Sequence, residues 1–241
     1  MLGLMSRPPI LNPQAVPVTG ADHHLPAVPA EALQPEALRR RFAAPPAWQP
    51  EISGDGGRGS SAWAQRAPAA AAVLVPLVMH DSGTTLLLTR RTAHLRDHAG
   101  QISFPGGRVE PEDEGVIATA LRETEEEIGL AREHIDIIGQ LPIYTTVTAF
   151  EVSPVVALVR PGFDLTLDAI EVDEAFEVPL EFLMNPANHQ RHLFSWEGGE
   201  RQFLSMPWIA RDPQEGGAPR EYFIWGATAA MLRNLYRFLS A

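Results

Sequence analysis

The chain has 241 residues, 45% hydrophobic and 20% charged, with 30 acids against 19 cations and a net charge of −11. That length holds one large domain, or a domain with an extra segment, and the composition is that of an ordinary soluble globular protein. The absence of cysteine excludes disulfides, thiolate nucleophiles and Cys-based zinc sites, and no basic block interleaved with aromatics speaks for nucleic acid. No apolar run approaches the ~18 residues of a membrane span, and the opening MLGLMSRPPILNP lacks the apolar stretch of a signal peptide, so a cytoplasmic protein without membrane or nucleic-acid partners is expected. All 19 cations are arginine. An anionic substrate would need a metal and a few local arginines to overcome the general repulsion.

Residues 1–68 stand apart, with ten of the 22 prolines in the first 50 positions and the turn-rich SGDGGRGSSAWAQRAP after them. They read as a Pro/Gly-rich arm, partly ordered, with one short helix in PAEALQPEALRRRFAA interrupted or started by Pro35. The main domain, 69–241, opens with AAAVLVPLVMH and TTLLLTRR, apolar and β-branched runs joined by DSG as a hairpin. The loop TAHLRDHAGQISFPGG leads into a helix predicted from about Glu114 to Ile128. IDIIGQLPIY, EVSPVVALV and FEVPL read as strands, followed by a short helix near Leu180 to Met184. HLFSW and RQFLSMPWI flank EGGE as a second hairpin, EYFIW is a last strand, and ATAAMLRNLYRFL is a closing amphipathic helix. Strands covered by helices make the class α/β or α+β on a mixed sheet.

The predicted helix ends in RETEEEIGL. At ~100° per residue, Val116, Ile117, Ala120, Leu121, Thr124 and Ile128 share one arc, expected to be buried, and Glu123, Glu126 and Glu127 share the adjacent one. Glu123 and Glu127 are a like-charged i, i+4 pair near the negative end of the helix, a placement that costs stability. A divalent cation would relieve it, because hard cations such as Mg²⁺ take oxygen ligands and are held by one or two carboxylates plus substrate phosphates. An acidic helix face is ordinarily solvated surface. The Gly-Gly turn and arginine-bearing loop before this one favour the metal.

The stretch FPGGRVEPEDEGVIATALRETEEEIGL resembles the Nudix box, through Gly107, Asp113, Arg122, Glu123, Glu126, Glu127 and Gly129. Eight residues separate Asp113 from Arg122 where the usual box has seven, and the first acid is Asp where the box has Glu. Alternatively Glu114 takes that role. The same departure, and LLTRRTAHLRDHAGQISFPGG upstream, are similar to the coenzyme A pyrophosphatase subgroup; Leu87, Leu88, Thr89, Arg91, Arg96, Gly100, Phe104, Pro105, Gly106 and Gly107 fall at its spacing, with Thr92 where Ser or Ala is usual. PVVALV, DEAFEVPL and YFIWGATAAML also look like this subgroup.

The resemblance implies a Nudix-type α/β/α sandwich on a mixed β-sheet and hydrolysis of coenzyme A or acyl-CoA to 3′,5′-ADP and 4′-phosphopantetheine or its acyl form, with Mg²⁺ or Mn²⁺ as cofactor. The alternatives are a pyrophosphatase acting on ADP-ribose or another dinucleotide, and a nucleotide-sensing module without catalysis. Glu123, Glu126 and Glu127 are the expected metal ligands, with Arg122 orienting them and the Gly107 carbonyl completing the site. Arg91 and Arg96 are candidates for substrate phosphates, set against surface pairing with Asp97 or Glu110. Gly106 and Gly107 would let the backbone approach the substrate. The general base is sought among Glu127, Glu171 and Glu174, with Glu174 carried forward as the catalytic candidate; His94 and His98 are further possibilities. Phe194, Trp196, Phe203, Trp208, Phe223 and Trp225 are expected in the core, although one could stack on adenine or cover the pantetheine arm. A homodimer is compatible with the sequence.

Overall fold

The structure is a computed structural model describing residues 8–55, 67–94, 100–210 and 219–241. In chain order the regular elements are β1 (Val18–Ala21), α1 (Pro35–Ala43), β2 (Ala69–His80), β3 (Gly83–Arg91), β4 (Ile102–Ser103), β5 (Gly106–Arg108), α2 (Val116–Ile128), β6 (Ile135–Gln140), β7 (Tyr144–Thr145), β8 (Phe150–Val159), β9 (Val172–Pro179), α3 (Leu180–Leu183), β10 (Gln190–Trp196), β11 (Gly199–Ala210), β12 (Arg220–Trp225) and α4 (Gly226–Leu239). Both expected hairpins are present, β2 with β3 and β10 with β11, each antiparallel. IDIIGQLPIY divides into two strands, because Leu141–Ile143 leaves the ladder between β6 and β7. Among the described residues no helix is long and apolar enough to cross a membrane.

The larger sheet runs β4-β3-β2-β8-β6, with β5 on β2, β7 on β8 and β9 on β3. Its centre is the parallel pair β2 and β8, registered from Ala69 opposite Phe150 to Val78 opposite Val159. Central strands covered on both faces need apolar side chains of both parities, and these have them. Ala72 and Leu74 of β2, with Val155 and Ala157 of β8, face α2 through Ala120. Val75 and Leu77, with Val156 and Leu158, face the opposite layer of α4 and the second sheet. That second sheet is antiparallel in the order β1-β10-β11-β12. The result is the mixed α+β sandwich expected from the sequence.

The proline-rich segment supplies part of this second layer. Pro35 occupies the first turn of α1, where its missing N–H costs nothing. Leu33 and Leu38 are buried in the main core, and β1 adds an edge strand to β10. Phe42 and Trp48 pack on Phe238 of α4, with ring centroids 4.6 and 5.2 Å away.

Candidate active site

Helix α2 lies against β5, and its burial decides the site. Thr119, Ala120, Thr124, Glu127 and Ile128 are its buried residues. Ile117, expected inside, is 37% exposed, and Leu121 is only half-buried. The helix is therefore turned so that part of its acidic face points inward. The turn follows from the partner: β5 opens with a glycine pair, and the bare backbone there accepts side chains as large as Glu123. A Cβ added to Gly107 would stand 2.4 Å from Glu123 Cδ, and one added to Gly106 would stand 2.4 Å from the Ala72 carbonyl oxygen. The Gly106 N–H donates to Glu127 Oε2 at 3.1 Å.

Glu127 has a carboxylate in a largely dry position. Burial, reinforced by the charges of Glu171 and Glu123, pushes its carboxyl up to about 7, against the pull of the Gly106 N–H and Arg91. Burial also raises Glu123, with Arg122 opposing. Two partly desolvated carboxylates, both raised by burial and by the charge of Glu171, offer oxygen donors of the type a hard divalent cation takes. The donor set and the glycine cradle thus fit such an ion.

In this structure the three glutamates are not drawn into one cluster. Among the described residues no three His, Asp or Glu side chains stand together as a group able to hold a metal. The reason is competition by arginine. Arg122 Nη1 donates to Glu123 Oε1 and to Glu126 Oε2, both at 3.0 Å, and Glu126 stays 59% exposed. Arg91 Nη1 lies 3.7 Å from Glu127 Oε1.

Arg122 has all five donors engaged. Nε and Nη2 form a bidentate pair with Asp113 at 2.9 Å each, and Nη2 also donates to the Arg108 carbonyl. Asp113 further accepts from the Glu110 N–H and the Thr119 hydroxyl. Together, Arg122 foremost, they hold its carboxyl well below the usual carboxylate range. Of the two acids left open by the box spacing, Asp113 is the one that meets Arg122, and Glu114 is exposed.

Glu174 does not join the site. A strand alternates its side chains, and Glu174 of β9 is registered opposite Arg90 of β3. It bonds Tyr222 Oη at 2.7 Å and pairs with Arg90 and Arg220, on the face toward β12. Glu171 is the acid brought to the helix: its carboxylate lies 3.7 Å from Arg91 Nη2. Arg91 thus meets Glu127 and Glu171, a pairing that sequence reasoning did not weigh. Arg96, Asp97 and His98 lie outside the described residues, and His94 is exposed. Of the aromatics, Phe203 is buried and Trp208 stacks on Phe176. Phe194 stacks on Trp196, both half-buried. Phe223 and Trp225 line a cleft of about 400 Å³ with Arg90, Gln101 and Leu11.

A mixed-sheet sandwich carrying an acid-faced helix against a glycine pair is the arrangement that the Nudix-box resemblance implied. Residues 68–196 match the family model described as NUDIX domain, and the chain belongs to that family. It is 38% identical over 165 residues to the uncharacterized Nudix hydrolase NudL of Escherichia coli O7:K1 (strain IAI39 / ExPEC), covering 68% of this chain and 80% of that relative. The MutT protein from Methanosarcina mazei Go1 is similar over 49% of this chain and 82% of its own, at 28% identity and TM-score 0.40. The NUDIX domain of Shewanella oneidensis NrtR, solved with ADP ribose, is similar over 51% and 79%, at 19% identity and TM-score 0.38. Nudix hydrolases generally use divalent metal ions such as Mg²⁺ or Mn²⁺.

Proposed function

We propose that this Nudix hydrolase cleaves the diphosphate of coenzyme A or acyl-CoA, releasing 3′,5′-ADP and 4′-phosphopantetheine or its acyl form. The observation that carries the reading is the block from Leu87 to Gly107: it bears the coenzyme A subgroup's spacing, and its Arg91, Gly106 and Gly107 all border Glu127 or Glu123. Glu123 and Glu127 would hold Mg²⁺ or Mn²⁺, with Glu126 joining once it leaves Arg122. A bound divalent ion supplies charge neutralisation to the diphosphate and acidifies water. Arg91 offers its guanidinium to the phosphate oxygens, and the bare edge at Gly106 and Gly107 admits the diphosphate close to the backbone. Arg122 fixes the helix and the Asp113 loop so that Glu123 keeps its orientation. Glu171, bound neither to Gly106 nor to Arg122, is left to accept the proton of the attacking water. The Phe223–Trp225 cleft offers a wall for the adenine or the pantetheine arm.

The test is a panel of coenzyme A, acetyl-CoA, ADP-ribose and a dinucleoside polyphosphate at equal concentration with Mg²⁺ or Mn²⁺. Release of 3′,5′-ADP from the coenzyme A compounds should dominate, and Glu127→Gln should lower turnover about 10²-fold or more while leaving the fold intact. Faster cleavage of ADP-ribose would overturn the substrate. Tight nucleotide binding without product would overturn catalysis altogether.

A further inference from the structure

Arg91 is held between two acids without being committed to either. Its two contacts, to Glu127 Oε1 and Glu171 Oε2, are both 3.7 Å, beyond hydrogen-bond length. The position comes from a β-bulge: β3 and β9 pair Arg90 with Glu174 and then Arg91 with Val172, skipping one residue of β9. A bulge re-aims the side chain at its kink, here toward Glu171.

The segment that carries Glu171 is fastened on both sides. Toward α2, the Thr166 and Asp168 N–H groups donate to the Ile128 and Glu127 carbonyls, both at 2.9 Å. Toward β3, the buried Thr92 donates its hydroxyl to the Ile170 carbonyl at 2.8 Å and its N–H to the Glu171 carbonyl at 2.9 Å. Within the turn, Asp168 Oδ1 accepts from the Ile170 N–H. These bonds fix a turn whose outward side chain, Ile170, is 71% exposed. Such anchoring holds Glu171 in place opposite Arg91.

A cation at Glu127 and the guanidinium of Arg91 compete for the same carboxylate oxygens. We infer that Glu171, pinned by Thr92, is a positioning residue that draws Arg91 off Glu127, leaving Glu127 free for a divalent cation and Arg91 aimed at the diphosphate. The inference rests on the metal-assisted reading above and adds to it a reason for Thr92 and for the bulge.

The experiment is a double-mutant cycle read by Mn²⁺ binding in electron paramagnetic resonance, with no substrate present. Glu171→Gln should weaken Mn²⁺ binding about tenfold, because Arg91 then settles on Glu127. In the Arg91→Gln background the same change should have little effect, since there is no guanidinium left to redirect. Thr92→Val should reproduce part of the Glu171→Gln loss, and Thr92→Ser, which keeps the hydroxyl, should restore it. Equal losses in both backgrounds would show Glu171 acting through its own charge and would overturn the inference, as would unchanged binding in Glu171→Gln. Should the wild type bind no Mn²⁺, the metal-assisted reading itself fails, an outcome distinct from an additive cycle.

Discussion

Glu127 sits with its side chain 7% exposed, and that burial has a thermodynamic consequence separate from catalysis. Its carboxyl is pushed up to about 7, chiefly by burial, from an ordinary value of 4.5. Below about pH 4.5 the group is protonated in folded and unfolded chains alike. As the pH rises, the unfolded chain releases its proton first, so ionisation disfavours folding until the folded carboxyl has also ionised near 7. The metal-free protein should therefore lose up to roughly 3 kcal/mol of stability between those limits relative to Glu127→Gln. Urea unfolding of both proteins across pH 4 to 8 in a chelator measures the difference. A saturating divalent cation should abolish it, because a ligand that binds only the folded state restores what ionisation removes. A difference that grows toward low pH would contradict the assigned burial.

Helix α2 shows how much of the site was readable from residues and where reading stopped. Its end was legible, since Gly129 closes it in a left-handed conformation and Ile128 is its last residue, while its start falls at Val116, two residues after the expected Glu114. The resemblance also implied Gly107 and Arg122 beside Glu123, and in the structure both border its side chain. Hydrophobic periodicity failed on the inner face. It assigned Ile117 and Leu121 inward because it counts apolar side chains, whereas the glycine strand leaves room for Glu123 and Glu127. Glu171 and Glu174 could not be separated because β9 begins at Val172, before the FEVPL run that reads as strand, so Glu174 enters the ladder opposite Arg90 while Glu171 stays in the turn. The element's orientation is testable by packing. Ala120, fully buried against Ala72, Leu74 and Ala157, should tolerate no growth, so Ala120→Leu should cost about 1–3 kcal/mol by overpacking. Ile117→Ser should stay within about 0.5 kcal/mol, as for an exposed position. Both readings bury Ala120, so the thermal melt of Ile117→Ser decides between this orientation and the one drawn from the wheel.

On the scale of the whole molecule, the N-terminal segment is joined to the rest by charge as well as by Leu33 and Leu38. Arg233 of α4, 1% exposed, bonds Glu51 at 2.7 Å and pairs with Asp22 at 3.1 Å. Arg191 forms a bidentate pair with the same Asp22 and reaches Glu51. Composition could not reveal this junction, because its members are scattered from residue 22 to residue 233 and only the fold assembles them. His189 closes it from inside: Nδ1 lies 3.1 Å from Arg233 Nη1 and Nε2 lies 2.7 Å from the Leu183 carbonyl, so Nε2 carries the proton and Nδ1 accepts. Burial, with the charge of Arg233, lowers its pKa to about 4 from an ordinary 6.5. A depressed histidine stabilises the fold above 6.5, where it is neutral in both states, and that contribution is lost as the pH falls through about 4. Its sign is opposite to that of Glu127 in an overlapping window, so the two must be measured apart. With Mg²⁺ saturating, which silences Glu127, the unfolding free energy of the wild type should fall by roughly 3 kcal/mol relative to His189→Gln between pH 7 and 4. Glutamine keeps one donor and one acceptor but has no proton to gain. Parallel pH profiles for the two proteins would mean that His189 titrates alike in the folded and unfolded chains, and that burial against Arg233 does not hold it neutral.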